Sequence, residues 1–193
     1  TMARHKIDFI PGSVEIGDFD PTATSIAIGL LDQLHLLPLR ETHNTFDKYL
    51  KGFRERAGGT LNWNNYSAYE IRIIGALVKL GRRRDALDVL EFMLRDRRIP
   101  PWNQWPEISW RDPSGPSFIG DLPHTWISAE YMLSICTMFA YEREEDESLV
   151  IAAGLAEKWL SGGFEVEVRN LPTYYGNLTY SLRMEGEGIM RLN

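Results

Sequence analysis

Residues 124–139 read HTWISAEYMLSICTMF. Trp126, Ile127, Met132, Leu133, Ile135 and Met138 fall on nearly every side of a helix drawn at 3.6 residues per turn, and a helix apolar all round is expected to be buried all round. This stretch divides the chain into a part with helical periodicity and a part with strand periodicity.

Upstream, Asp20-Pro21 supplies an N-cap acid and a proline at N1, and Ala23, Ile26, Ala27, Leu30, Leu31 and Leu34 mark one helical face that Pro38 ends. A second helix is expected from Thr42 to Ala57, stopping at Gly58-Gly59. Ser67-Ala68-Tyr69-Glu70 reads as a capping box opening a third, which favours Glu70 as a capping residue over a catalytic one. A fourth runs from Arg83 to Arg97 and is terminated by Pro100-Pro101. Downstream of the acidic break Glu142–Glu147, LVIAAG reads as a short buried strand. FEVEVRN and NLTYSLRM alternate in twos around the turn Tyr175-Gly176-Asn177. The expected fold is therefore mainly α with a small C-terminal β part, divided into residues 1–145 (helical hairpins) and 146–193 (strands).

Composition narrows the functional classes. The 193 residues suit one domain, and 21 Lys and Arg against 27 Asp and Glu give a net charge of −6. No basic tail offsets that balance, so nucleic acid is not an expected partner. The arginines between Arg82 and Arg98 alternate with acids, as on a solvated, ion-paired face. No apolar run is long enough to span a bilayer. The single cysteine, Cys136, lies in an apolar run and reads as a small core residue, and the four histidines lack ligand spacing, so no metal is expected. The start Thr1-Met2 reads as the edge of a piece excised from a longer protein, and the compartment is left unassigned.

Between the fourth helix and the apolar one lies PPWNQWPEISWRDPSGPSFIGDLPHTW, residues 100–126. Loops of this length inside domains tend to be functional or disordered, and disordered segments are poor in aromatics. This loop combines Trp102, Trp105, Trp110 and Trp126 with Asn103, Gln104, Glu107, Asp112, Asp121 and His124. Indole faces, amides and carboxylates are the mixture a sugar-binding cleft needs. The alternative is that Trp102, Trp105 and Trp110 plug the open end of a helical layer while the acids are solvated.

GDFDPTAT, NWNNYSAYE, WNQWPE, PHTW and LPTYYGNLTYSLRMEG, taken in order, resemble the C-terminal part of six-hairpin (α/α) glycosidases, closest to the α-L-rhamnosidase type. The resemblance covers about residues 15 to 185. It implies a partial (α/α) barrel of about five helices followed by antiparallel strands. It also implies Glu107 as the general base of an inverting mechanism, with His124 and Trp126 lining the sugar site. Trp63, Asn64 and Tyr66 of the second motif are expected to face the same cleft. Trp-Pro-Glu stands here where the family has Trp-Glu, and the acidic Asp-x-x-Trp-Asn-Glu segment that would hold the general acid is absent.

The expected function is thus the C-terminal portion of a carbohydrate-active glycoside hydrolase, inactive in isolation and needing no metal or organic cofactor. The expected partners are a carbohydrate and, because five helices cannot cover every apolar face, either a second copy of the chain in a homo-oligomer or the rest of a longer parent. The alternative is a non-catalytic α-helical interaction scaffold or a carbohydrate-binding fragment.

Overall fold

The structure, a computed structural model, describes residues 1–193 except 99, 116 and 187. Among the described residues are seven helices: α1 (Met2–His5), α2 (Pro21–Gly29), α3 (Leu39–Ala57), α4 (Ile73–Lys79), α5 (Arg83–Arg95), α6 (Thr125–Phe139) and α7 (Glu157–Leu160). Strands β1 (Asn65–Ser67) and β2 (Ile108–Trp110) pair with each other. So do β3 (Ala140–Arg143) and β4 (Ser148–Ile151), while β5 (Glu165–Thr173), β6 (Gly176–Gly186) and β7 (Ile189–Leu192) form a third antiparallel sheet. With helix at about 46% and strand at about 21%, the chain is a mixed α and β protein.

Asp20 caps α2, its carboxylate accepting the amides of Thr22 at 2.9 Å and Ala23 at 3.2 Å. The helix stops at Gly29, well before Pro38. Just beyond it Asp32 turns into the left-handed region with φ +49°, and its carboxylate takes Lys79 Nζ at 2.7 Å and the Glu144 amide at 2.7 Å. Helix α3 begins directly after Pro38 and buries Thr42, Thr45, Phe46, Tyr49, Leu50 and Phe53 along one face. Ser67 opens a 3-10 turn over Ala68–Arg72 that leads into α4, and its hydroxyl accepts the Tyr69 amide at 3.3 Å. Glu70 does not close a capping box. Its carboxylate faces inward, taking the Tyr49 hydroxyl at 2.8 Å and Arg56 Nη1 at 2.9 Å, because two strong donors from α3 compete with the helix start.

The helix that is buried all round is α4. Ile73, Ile74, Gly75, Ala76, Leu77 and Val78 are all buried, and α2, α5 and α6 pack around them. For α6 the expectation fails. Ile127, Ser134 and Met138 are buried, yet Trp126 is 69% exposed, Met132 65% and Leu133 47%. Its inner side rests on α4 and the 3-10 turn before it, and the opposite arc has no cover among the described residues.

A second core, built on Leu155, Leu160, Val168, Tyr180 and Leu182, sits under the C-terminal sheet. Phe139 and Trp159 pack on both cores and join them. The expected boundary at 145/146 falls in the turn of the β3–β4 hairpin, whose end pair is Arg143↔Ser148. Only residues 149–151 of LVIAAG are strand, half-buried as one side of a two-stranded hairpin, and Ala152 at φ +63° follows directly.

Candidate functional site

Three stretches distant in sequence are tied edge to edge. In the β1–β2 ladder Asn65 faces Trp110, Tyr66 faces Ser109 and Ser67 faces Ile108. The ladder continues through the Ala68 amide to the Glu107 carbonyl at 3.0 Å. On its other side, the Glu107 amide donates to the Asp121 carbonyl at 3.4 Å and the Ile108 amide to the Ile119 carbonyl at 3.1 Å. Residues 65–69, 107–110 and 119–124 therefore lie side by side at the start of α6.

This junction gathers Tyr69, Glu107, His124 and Trp126. The Tyr69 ring meets the His124 ring edge-on at 5.5 Å, and His124, 8% exposed, has the Trp126 ring 6.2 Å away. Glu107 is half-buried and its side chain lies against Gly120. Arg72 sits over the Tyr69 ring at 4.4 Å and pairs with Glu130 of α6 at 2.8 Å. Burial raises the Tyr69 phenol above its ordinary value; Arg72 pulls it down, and Glu107 and Glu130 push it up. Tyr69, Arg72 and Glu130 carry no mark in the sequence that joins them to the loop residues. Tyr69 lies within NWNNYSAYE, where the helix-start reading absorbs it, and nothing in sequence pairs Arg72 with Glu130.

The other loop residues have different places. Trp105 is a core residue, 2% exposed, with its indole N–H on the Met93 carbonyl at 2.8 Å and its ring 5.2 Å from Tyr131. Tyr66 is also buried, donating its hydroxyl to Asp96 at 2.5 Å beneath the Arg56 guanidinium. Neither faces a cleft, because each polar tip has found an acceptor inside the protein. Trp102 is exposed, and Asn103 adopts φ +52° and accepts from Arg97. Gln104 accepts the Ser128 hydroxyl at 2.7 Å, which fastens the loop to the first turn of α6. Asp112 makes an Asx turn, taking the Ser114 amide at 2.9 Å and hydroxyl at 2.6 Å; these bonds, the hydroxyl first, hold its carboxyl below the usual range. Asp121 is exposed and contributes its carbonyl to Glu107. Trp63, Asn64, Trp110 and Asp112 line a separate, open concavity of about 570 Å³. The loop tryptophans are therefore divided between core, surface and this concavity.

Among the described residues no group of three His, Cys, Asp or Glu could hold a metal ion, and no helix is long and apolar enough to cross a membrane. No protein-family model, curated protein or solved structure matches the chain.

Proposed function

We propose that the chain is the C-terminal portion of a carbohydrate-active glycoside hydrolase built on a partial six-hairpin (α/α) toroid, with Glu107 as general base. The reading is supported by one observation above the rest: the edge-to-edge joining of three motif-bearing segments, which brings Glu107, His124, Tyr69 and the exposed Trp126 to one end of α6. An exposed indole gives a pyranose its apolar platform, a buried imidazole and a phenol take hydroxyls, and a carboxylate activates water. Glu130 is not assigned the acid's role, since its carboxylate is already engaged by Arg72 at 2.8 Å. The acid then comes from another part of the parent, and the uncovered arc of α6 is where that part, or a second copy of the chain, rests.

The test has a binding arm and a turnover arm. Tryptophan fluorescence titrated with aryl α-L-rhamnosides and related glycosides should change in the chain and lose its response in Trp126→Ala. In the parent enzyme, Glu107→Gln should lower turnover by about 10² to 10⁴, the usual contribution of general-base catalysis. A variant that keeps its turnover removes Glu107 from the mechanism. The dispersal of the loop tryptophans favours a second reading, a non-catalytic carbohydrate-binding fragment or interaction scaffold, for which binding survives and no hydrolysis is found in any longer form.

A further inference from the structure

A groove of about 370 Å³ runs between α2, α4 and α6 and is closed at one end by β3 and the β5–β6 turn. Its volume falls within the range of small-molecule sites. Two ion pairs form the buried part of its charged lining, and Glu142, whose carboxylate accepts the Tyr174 amide at 2.8 Å, and Glu144 add two further acids. Lys79 and Asp32 meet at 2.7 Å with side chains only 7% and 13% exposed, and Arg72 and Glu130 meet at 2.8 Å with 14% and 13% exposed. Arg72 Nε is buried and has no hydrogen-bond partner. Tyr141 lies under Lys79, 5.2 Å from its Nζ, and the strongly exposed Tyr174 of the β5–β6 turn forms the outer lip.

The chemistry of that lining selects the ligand. Four of the groove's charged side chains neutralise one another, and Glu142 and Glu144 leave carboxylates in excess, so an anion is disfavoured and acceptors for hydroxyl groups are plentiful. Each paired carboxylate also keeps lone pairs, and each cation keeps N–H donors, so the groove offers closely spaced donors and acceptors to a neutral polyhydroxylated molecule. The groove is also joined to the junction described above. Arg72 and Glu130 line it, while the Arg72 guanidinium lies over Tyr69, which touches His124.

We infer that the α2–α4–α6 groove is a second carbohydrate subsite, holding a further sugar unit of a ligand whose first unit sits at His124 and Trp126, with the Arg72–Glu130 pair shared between the two. This rests on the carbohydrate reading of the junction. It makes the ligand an oligosaccharide, and it gives Tyr141 and Tyr174 aromatic contacts with the distal ring.

Cys136, the only cysteine of the chain, is half-buried and lines the groove, which makes it a specific reporter. Its alkylation by N-ethylmaleimide would be timed with no sugar, with an aryl α-L-rhamnoside carrying one ring, and with two- to four-ring α-L-rhamnosyl oligosaccharides, while Trp126 fluorescence reports the junction in the same samples. The expected result is at least fivefold slower alkylation with the oligosaccharides, little change with the one-ring probe, and loss of protection in Tyr174→Ala with the fluorescence response kept. If the oligosaccharides change the fluorescence and leave the alkylation rate as it was, the groove proposal is overturned and the junction reading stands. If neither readout responds to any of the sugars, both fall.

Discussion

A Cβ at position 120 would lie 2.6 Å from Glu107 Cβ and 2.3 Å from its Oε2, and Gly120 itself holds φ +70°. The glycine therefore does two things: it lets the loop turn back, and it leaves the room in which the Glu107 carboxylate lies. Gly120→Ala should cost about 1–3 kcal/mol for the left-handed backbone alone. It should also expel the Glu107 side chain. Denaturant titration reads the first effect, and loss of the fluorescence response to sugar reads the second. An alanine variant with unchanged stability and sugar response would show that Glu107 does not depend on this contact.

The division of the loop tryptophans predicts opposite outcomes for neighbours in sequence. Trp105→Ala removes a buried indole and leaves the Met93 carbonyl unpaired, so it should destabilise the fold by about 3–5 kcal/mol. Trp102→Ala removes an exposed one and should stay within about 0.5 kcal/mol of the parent. Thermal or urea unfolding of the two variants distinguishes core from surface directly.

Two tyrosines give the protein an alkaline limit. Burial first, then the adjacent carboxylates, push the phenols of Tyr49 (beside Glu70) and Tyr66 (beside Asp96) well above their ordinary value. Because the unfolded chain gives up these protons near pH 10 and the folded one keeps them, stability should be level below that pH and fall as pH rises beyond it. Absorbance at 295 nm should show two of the eight tyrosines ionising only as the protein unfolds. Full titration of all eight in a still-folded protein would contradict the burial of this pair.

The open arc of α6 predicts self-association of the isolated chain. Met132→Glu places a charge in the middle of that arc without touching the buried side, so it should shift sedimentation towards the monomer while leaving the melting temperature within a few degrees. A parent chain that is monomeric at all concentrations tested would mean that the arc needs no protein cover.

Much of the helical part was legible because caps and periodicity are local signals. Asp20-Pro21 at the start of α2 and the alternation in β5 and β6 both end up where their chemistry requires. The failures have a common physical source in partners supplied from afar. Glu70 looked like a cap until Arg56 and Tyr49 reached it from α3, and Asp32 ended α2 early by turning towards Lys79 and Glu144. The amino acids of α6 describe a buried helix, but burial depends on what else is present, and α4 took the central place. For the candidate site, the loop's richness in aromatics, amides and acids was legible. Which tryptophan turns inward was not, because the Met93 carbonyl that captures Trp105 is a backbone group with no sequence signature.

Glu107 is bracketed by two anchors: Trp105, fixed in the core two residues before it, and the β2 ladder, which begins one residue after it. Chain length is therefore constrained very unevenly along the loop. An insertion among the exposed residues 111–114 can bulge outward, as loop tips generally allow. A single residue added or removed between 105 and 108 has no slack to absorb it, and would either drag the indole from its seat or shift the ladder by one, turning its inward-facing side chains to the opposite side. Substitution can remove the carboxylate at 107 and leave its backbone in place; a length change there cannot spare the fold.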